Sequence, residues 1–247
     1  MKKMERSKTS ILWFALLLFL TGSGSATGAT DPGANFTSWP DTGQTNCYDQ
    51  YGHIITCPPE GTAFHGQDPQ YSDLGRSYTK LDANGNELPD NAQTWVMVRD
   101  NITGLIWETK NNRDNIPDYT NPHDTDNQYA WCDPDPATNG GNPGDCASYH
   151  NTKVFIDYLN ATKFGGFDDW RLPTIKELAA LVDYGQSTPA IIPEYFPVFA
   201  HDIAFYWSST STAFDTGKAW SMKFQYGSDE VEQKSNKHYV LAVRGQQ

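Results

Sequence analysis

The chain of 247 residues carries 30 Asp and Glu against 18 Lys and Arg, a formal charge of −12. A surface that acidic repels nucleic acid and anionic lipid, which argues against a polyanion-binding protein. Its length and its 13% aromatic content, with eight Trp, supply a sizeable core and exclude a disordered secreted tail.

Met1–Ala29 has a basic start (Lys2, Lys3, Arg6, Lys8), an apolar run Ile11–Leu20 and small residues ending in Thr27-Gly28-Ala29. This is the pattern of a secretory signal peptide, with an apolar run too short to span a membrane stably. No cysteine follows closely, so a lipid anchor is not expected. Cleavage after Ala29 leaves 218 of the 247 residues, removes four basic residues and one acid, and takes the charge from −12 to −15. The mature chain is expected to be exported, to periplasm or cell exterior, without stable membrane insertion and without nucleic acid as a partner.

Residues 30–40 read as a flexible leader, and 41–93 as an irregular annex in which turn residues outnumber periodic apolar ones. Within it only His53-Ile54-Ile55-Thr56 resembles a strand. All four cysteines, Cys47, Cys57, Cys132 and Cys146, lie in the exported part, and an even count in an oxidising compartment predicts two disulfides. Three pairings are open; Cys47–Cys57 and Cys132–Cys146, each closing a turn-rich loop, are the expected ones. They leave no free thiol.

The main domain is expected over 94–247. Thr94–Arg99 and Leu105–Thr109 are β-rich runs around the turn formers Asp100, Asn101 and Gly104, which predicts a hairpin. An Asn/Asp/Pro-rich loop then runs to about Tyr149, too long to be structureless unless its disulfide pins it. Asn151 or Thr152 caps a first helix with Val154, Phe155, Tyr158 and Leu159 as its apolar stripe, ended by Gly165-Gly166.

The stretch Gly165–Val182, GGFDDWRLPTIKELAALV, is the best-punctuated part of the chain. Pro173 biases Leu172 to extended backbone, and Thr174 with Glu177 stands at capping-box spacing, so a second helix starts at Thr174. Ile175, Leu178, Ala179 and Val182 recur at i, i+3, i+4 and i+7 with Leu181 beside them, which turns Lys176, Glu177, Ala180 and Asp183 elsewhere. Trp170 and Leu172 read as core, with Arg171 paired to Asp168 or Asp169. A proline-rich loop 184–204 leads to three strands: Phe205–Thr210, containing Trp207; Ala219–Gln225, where Trp220, Met222 and Phe224 alternate with Ser221, Lys223 and Gln225 as if one face were wet; and Tyr239–Arg244.

The residues VRDNITGLIWE, FDDWRLPTIKEL, YWSSTS, AWSMKF and YVLAVRG, in that order, resemble the Legionella collagen-like protein (Lcl) C-terminal domain family, and the resemblance extends over roughly 41–247. It implies an α+β, C-type-lectin-like fold: two helices packed on a small twisted antiparallel sheet with long loops, behind the irregular annex. This shape is related to the formylglycine-generating enzymes and to the variable binding proteins of diversity-generating retroelements. The family's namesake is an adhesin, so the resemblance also implies adhesion, with glycan binding and a homotrimer as expectations. Similar members carry further cysteines near the positions of Met97 and Phe164, and both are absent here, which removes any extra family disulfide.

Catalytic and metal motifs are sparse. There is no GxSxG or HExxH, the six histidines are scattered singly, and no cysteine follows Cys146, so a formylglycine-generating chemistry has no thiols to use. Asp82, Asn84, Asn86 and Asp90 begin like an EF-hand, but Gly85 sits at the fourth place and Gln93 at the twelfth, so the loop fails. Asp114, Asp118, Asp124 and Asp126 form a second acidic loop, weighed as a calcium site against a solvated turn region. The expectation is a non-enzymatic protein without cofactor or metal that recognises a glycan or cell-surface protein. Tyr206, Phe214, Asp215 and Lys218, around the turn between the first two C-terminal strands, are the ligand candidates, since an aromatic beside polar groups suits sugar stacking. A local basic patch of Lys218, Lys223, Lys234 and Lys237 is a secondary candidate. The alternative is a structural subunit of an extracellular assembly.

Overall fold

The computed structural model describes residues 38–71, 74–186, 188–199 and 204–245. The expected signal peptide and most of the leader lie outside them. The described residues belong to one compact unit.

The N-terminal segment opens with a two-residue hairpin, β1 (Cys47–Tyr48) against β2 (Ile54–Ile55), closed by the Cys47–Cys57 disulfide. The segment is not irregular throughout. Tyr78–Leu81 forms β3 and pairs along its whole length with β4 (Met97–Asp100), so it completes the main sheet. β4 turns back into β5 (Ile106–Glu108) as the hairpin expected, with Val98 opposite Trp107. β5 also pairs with the short C-terminal β11 (Val243–Arg244), giving the antiparallel order β11-β5-β4-β3. A second antiparallel sheet holds β7 (Phe205–Ser211), β8 (Lys218–Lys223) and β9 (Ser228–Gln233). The expected strand Tyr239–Arg244 is broken: Lys237–His238 forms β10 against β6 (Tyr129–Ala130), and only Val243–Arg244 continues as strand.

Helix α1 (Thr152–Ala161) is capped by the Asn151 side chain, which accepts from the Val154 amide at 2.9 Å. It ends before the glycines, and Gly165 follows with φ 67° where an added Cβ would lie 2.4 Å from the Met97 sulfur. Both the backbone angle and the close approach therefore require glycine. The buried stripe of α1 is Thr152, Phe155 and Leu159, while Val154 and Tyr158 stay half exposed, because the helix touches the core along a narrower face than its composition offers.

Helix α2 (Ile175–Leu181) starts at Thr174 with both halves of the capping box formed. Its buried side is Glu177, Leu178, Ala180 and Leu181, so Glu177 and Ala180 turn inward and Ala179 outward, contrary to the periodic reading. The reason is Arg171. Its guanidinium meets the fully buried Glu177 carboxylate through two bonds of 2.7 and 2.6 Å, replacing the expected pairing with Asp168 or Asp169. Asp169 instead receives Arg244, at 2.6 and 3.0 Å.

Two hydrophobic clusters lie on opposite sides of the sheets. Val98, Trp107, Leu178, Leu181, Tyr206, Met222, Phe224, Leu241 and Val243 form one; Met97, Ile106, Trp131, Phe155, Trp170, Trp207, Ala219, Val240 and Ala242 form the other. Consecutive residues thus alternate between two cores, not between core and water. The face of this strand expected to be wet is so only at its end: Ala219 and Ser221 are fully buried while Lys223 and Gln225 stay partly exposed, and Trp220 on the other face is only half-buried. Trp170, Trp131 and Trp207 each donate the indole N–H to a backbone carbonyl, of Phe164, Ser208 and Tyr129, at 2.8–2.9 Å. Buried indoles so satisfied fix the loops that supply the carbonyls.

Candidate functional site

The turn joining β7 to β8, Thr212–Gly217, is the most strongly braced exposed loop near the predicted ligand residues. Thr212 donates its amide to the Lys218 carbonyl at 3.1 Å and its hydroxyl to that of Asp215 at 2.5 Å, and the Asp215 carboxylate accepts from the Gly217 amide at 3.0 Å. Phe214, at the tip, keeps 72% of its surface in solvent. Asp215 and Lys218 stand beside it with carboxylate and ammonium 3.6 Å apart. Tyr206 is not part of this surface. It is 1% exposed, stacked on Phe199 at 4.4 Å and edge-on to Phe224, because its position on β7 directs the ring into the core under α2.

Alongside the turn lies the disulfide-closed loop, joined by Cys132–Cys146. Its two arms zip together through Asp133 N to Pro143 O at 3.0 Å and Asp145 N to Trp131 O at 2.9 Å. It touches the turn where the Ser211 hydroxyl donates to the Asn139 carbonyl at 2.9 Å. Thr152, at the start of α1, exchanges two bonds with the backbone of Cys132. The hub is Lys234. Its ammonium is buried, donates to the carbonyls of Asn139 and Asn142 at 2.8 and 2.7 Å, and lies 4.0 Å from the Trp131 ring centre. Burial lowers its pKa. The sequence grouped Lys234 with Lys218, Lys223 and Lys237 as a basic patch, and its burial removes it from that surface; a lysine just beyond a strand carries no local signal of burial.

The same device recurs twice. Lys80 donates to the carbonyls of Asp90 and Ala92 with its ammonium 3.9 Å from the Trp95 ring centre. Lys110 donates to the carbonyl of Pro122 and to the fully buried Glu108, 4.5 Å from the Phe155 ring. Three buried ammoniums thus each hold a loop by its backbone oxygens against an aromatic face. Glu108 also receives His123 at 2.7 Å and the Ala242 amide at 3.0 Å. Burial acts to raise the Glu108 pKa, but Lys110 and His123 overcome it and hold the carboxyl below its ordinary range. This cluster was invisible in the sequence, where Glu108, Lys110 and His123 belong to different motifs.

The second acidic loop uses its carboxylates on itself. Asp126 accepts from the amides of Asp114 and Asn115 at 3.0 and 2.7 Å, Asp124 from the amide of Asp126 and the side chain of Asn112, and Asp118 from Thr120. Asp82 likewise closes its turn on Asn84 and Asn86. Among the described residues no group of three or more His, Cys, Asp or Glu is placed to hold a metal ion. Nor is any helix among them long and apolar enough to cross a membrane. Two disulfides fit an oxidising, non-cytoplasmic compartment.

No curated protein and no solved structure matches the chain. Residues 96–244, more than half of its length, match the Lcl C-terminal domain. They contain both helices, β4 to β11, the disulfide-closed loop and the braced turn. The chain therefore belongs to the Lcl C-terminal domain family.

Proposed function

We propose that this protein is an exported, non-enzymatic recognition module of C-type-lectin-like architecture that binds a glycan or a glycosylated cell-surface partner through the turn Thr212–Gly217. The observation that carries the reading is Phe214, a large apolar ring 72% exposed on a turn whose backbone is held from both sides. Exposing such a ring forgoes its burial, which is the arrangement a binding surface needs. A rigid ring loses little conformational freedom when a sugar face stacks on it, and Asp215 and Lys218 stand where they can pair with hydroxyls. The experiment is a glycan array on the mature protein followed by titration of the best hit against Phe214→Ala. The expected result is a loss of about tenfold or more in affinity with unchanged melting temperature, as for removal of a central aromatic anchor. Binding that survives the substitution, or no glycan bound at all, sinks the reading.

A second reading, a structural subunit of an extracellular assembly such as a homotrimer, is favoured by a separate observation. Trp39, Tyr51, Ile54, Phe64, Tyr71 and Leu74, all in the N-terminal segment, leave between 43% and 74% of their surface in water. Sedimentation at increasing concentration separates the readings, since this one requires a defined oligomer without soluble ligand.

A further inference from the structure

The sheet β7-β8-β9 ends at β9, and among the described residues no strand pairs with its outer side. β9 is paired with β8 without a bulge, from Lys218 opposite Gln233 to Lys223 opposite Ser228. The bond from the Lys234 amide to the Gly217 carbonyl, 2.9 Å, fixes the phase of that ladder. In an antiparallel pair the hydrogen-bonded positions recur every second residue, so Glu232, Glu230 and Ser228 bond inward to Ala219, Ser221 and Lys223. The backbone N–H and C=O groups of Asp229 and Val231 and the N–H of Gln233 then point away from the sheet, a row able to accept another strand, while the Gln233 carbonyl already accepts from the Asn236 amide at 2.8 Å.

The side chains along this row are acidic. Asp229 and Glu230 are exposed and have no ion-pair partner among the described residues, while Glu232 is engaged by His238 and Asn236 at 3.3 and 3.1 Å. The neighbouring cations on β8 are turned to other partners. Lys218 faces Asp215, and the Lys223 ammonium lies 5.4 Å from the Phe205 ring of β7, on the side away from β9. Two such edges laid against each other would bring carboxylate onto carboxylate, which opposes self-pairing. The same charge favours a strand of opposite sign.

We propose that the free edge of β9 is a docking strand for an extended, lysine- or arginine-rich peptide segment of a partner protein. The segment adds to the sheet through the backbone of Asp229 and Val231 and the Gln233 N–H, and its cations, carried on both faces of the added strand, pair with Asp229 on one face and Glu230 on the other. This is strand addition, in which main-chain bonds give affinity and the alternating side chains select the partner. It does not depend on the Phe214 surface.

The test uses the mature protein and a six-residue peptide of threonine and valine with two adjacent lysines, one on each face of the extended strand, followed by amide exchange and chemical-shift titration. The expected result is exchange protection and shifts at Asp229, Val231 and Gln233. About tenfold weaker binding is expected to an analogue N-methylated at alternate residues, which keeps the charge but cannot pair. The double variant Asp229→Lys with Glu230→Lys, which leaves the backbone ladder untouched, should weaken binding by a similar factor. Equal affinity for the methylated analogue reduces the interaction to charge alone and overturns the proposal. So does a shift pattern centred elsewhere, an unaffected double variant, or a protein that dimerises through this edge at neutral pH.

Discussion

Lys234→Met tests whether a buried ammonium holds the disulfide-closed loop in place. Methionine keeps a stem of similar reach and removes the charge. Two charge-assisted bonds are lost, at 2.8 and 2.7 Å, but Asn139 keeps the Ser211 hydroxyl, so only the Asn142 carbonyl is left bare. Bonds to charged groups contribute about 1.5–3 kcal/mol each, and the ammonium over Trp131 adds about 1 kcal/mol. Against this stands the cost of burying the ammonium, recorded in its lowered pKa, which the substitution relieves. The net loss should be about 2–3 kcal/mol, or roughly 5–10 °C in melting temperature for a domain of this size. Thermal and urea unfolding measure the stability, and limited proteolysis reports whether the exposed segment 134–138 becomes cleavable. An unchanged melting temperature with an unchanged cleavage pattern would show that the disulfide and the paired arms hold the loop unaided.

Trp170→Ala should destabilise the domain by about 3–5 kcal/mol, since a fully buried indole is lost along with its bond to Phe164; a soluble variant melting normally would contradict the burial. Above pH 10 stability should fall, because burial raises the pKa of Tyr129: the unfolded tyrosine ionises near 10 while the folded one stays neutral, so its contribution is complete below that pH and is lost at about 1.4 kcal/mol per unit above it. Tyr129→Phe should flatten that fall relative to the parent, a comparison that cancels the opposite contribution of Lys110 and Lys234, whose pKa values burial lowers; parallel curves refute it. EDTA should leave the melting temperature unchanged because the Asp114–Asp126 carboxylates are engaged with their own loop, and a calcium-induced rise would contradict this, as mass action requires one if the folded state binds the ion.

What could be read from the sequence was local. The capping box at Thr174 and Glu177, the Asn151 cap and the hairpin around Asp100–Gly104 depend on residues a few positions apart, and the disulfides on residues 10 and 14 apart; all are present. β3 was missed because Tyr78-Thr79-Lys80-Leu81 is short, and the Lys80 ammonium is held by carbonyls farther along the chain and a tryptophan face. β9, Ser-Asp-Glu-Val-Glu-Gln, has almost no apolar pattern; it is a strand only because β8 offers it a complete ladder. The reading of α2 failed for Glu177, whose inward turn depends on an arginine six residues upstream. Of the ligand candidates, Phe214, Asp215 and Lys218 come together, but nothing in FYWSST distinguished the side of the sheet on which Tyr206 would fall, since both sides are dry.

The pairing of β3 with β4 separates two boundaries that are easily conflated. The family match begins at residue 96, inside the span between these strands, whereas cooperative folding must begin upstream. Arg76 donates to the carbonyls of Ala180 and Val182 at the C-terminal end of α2, and Tyr184 donates to Thr42 at 2.7 Å. A polypeptide started at residue 96 would bare the β4 ladder and leave those carbonyls to water. The span matched by the family is thus shorter than the span these bonds tie together, and a fragment cut to that span would lack both the edge strand and the cation that closes the end of α2.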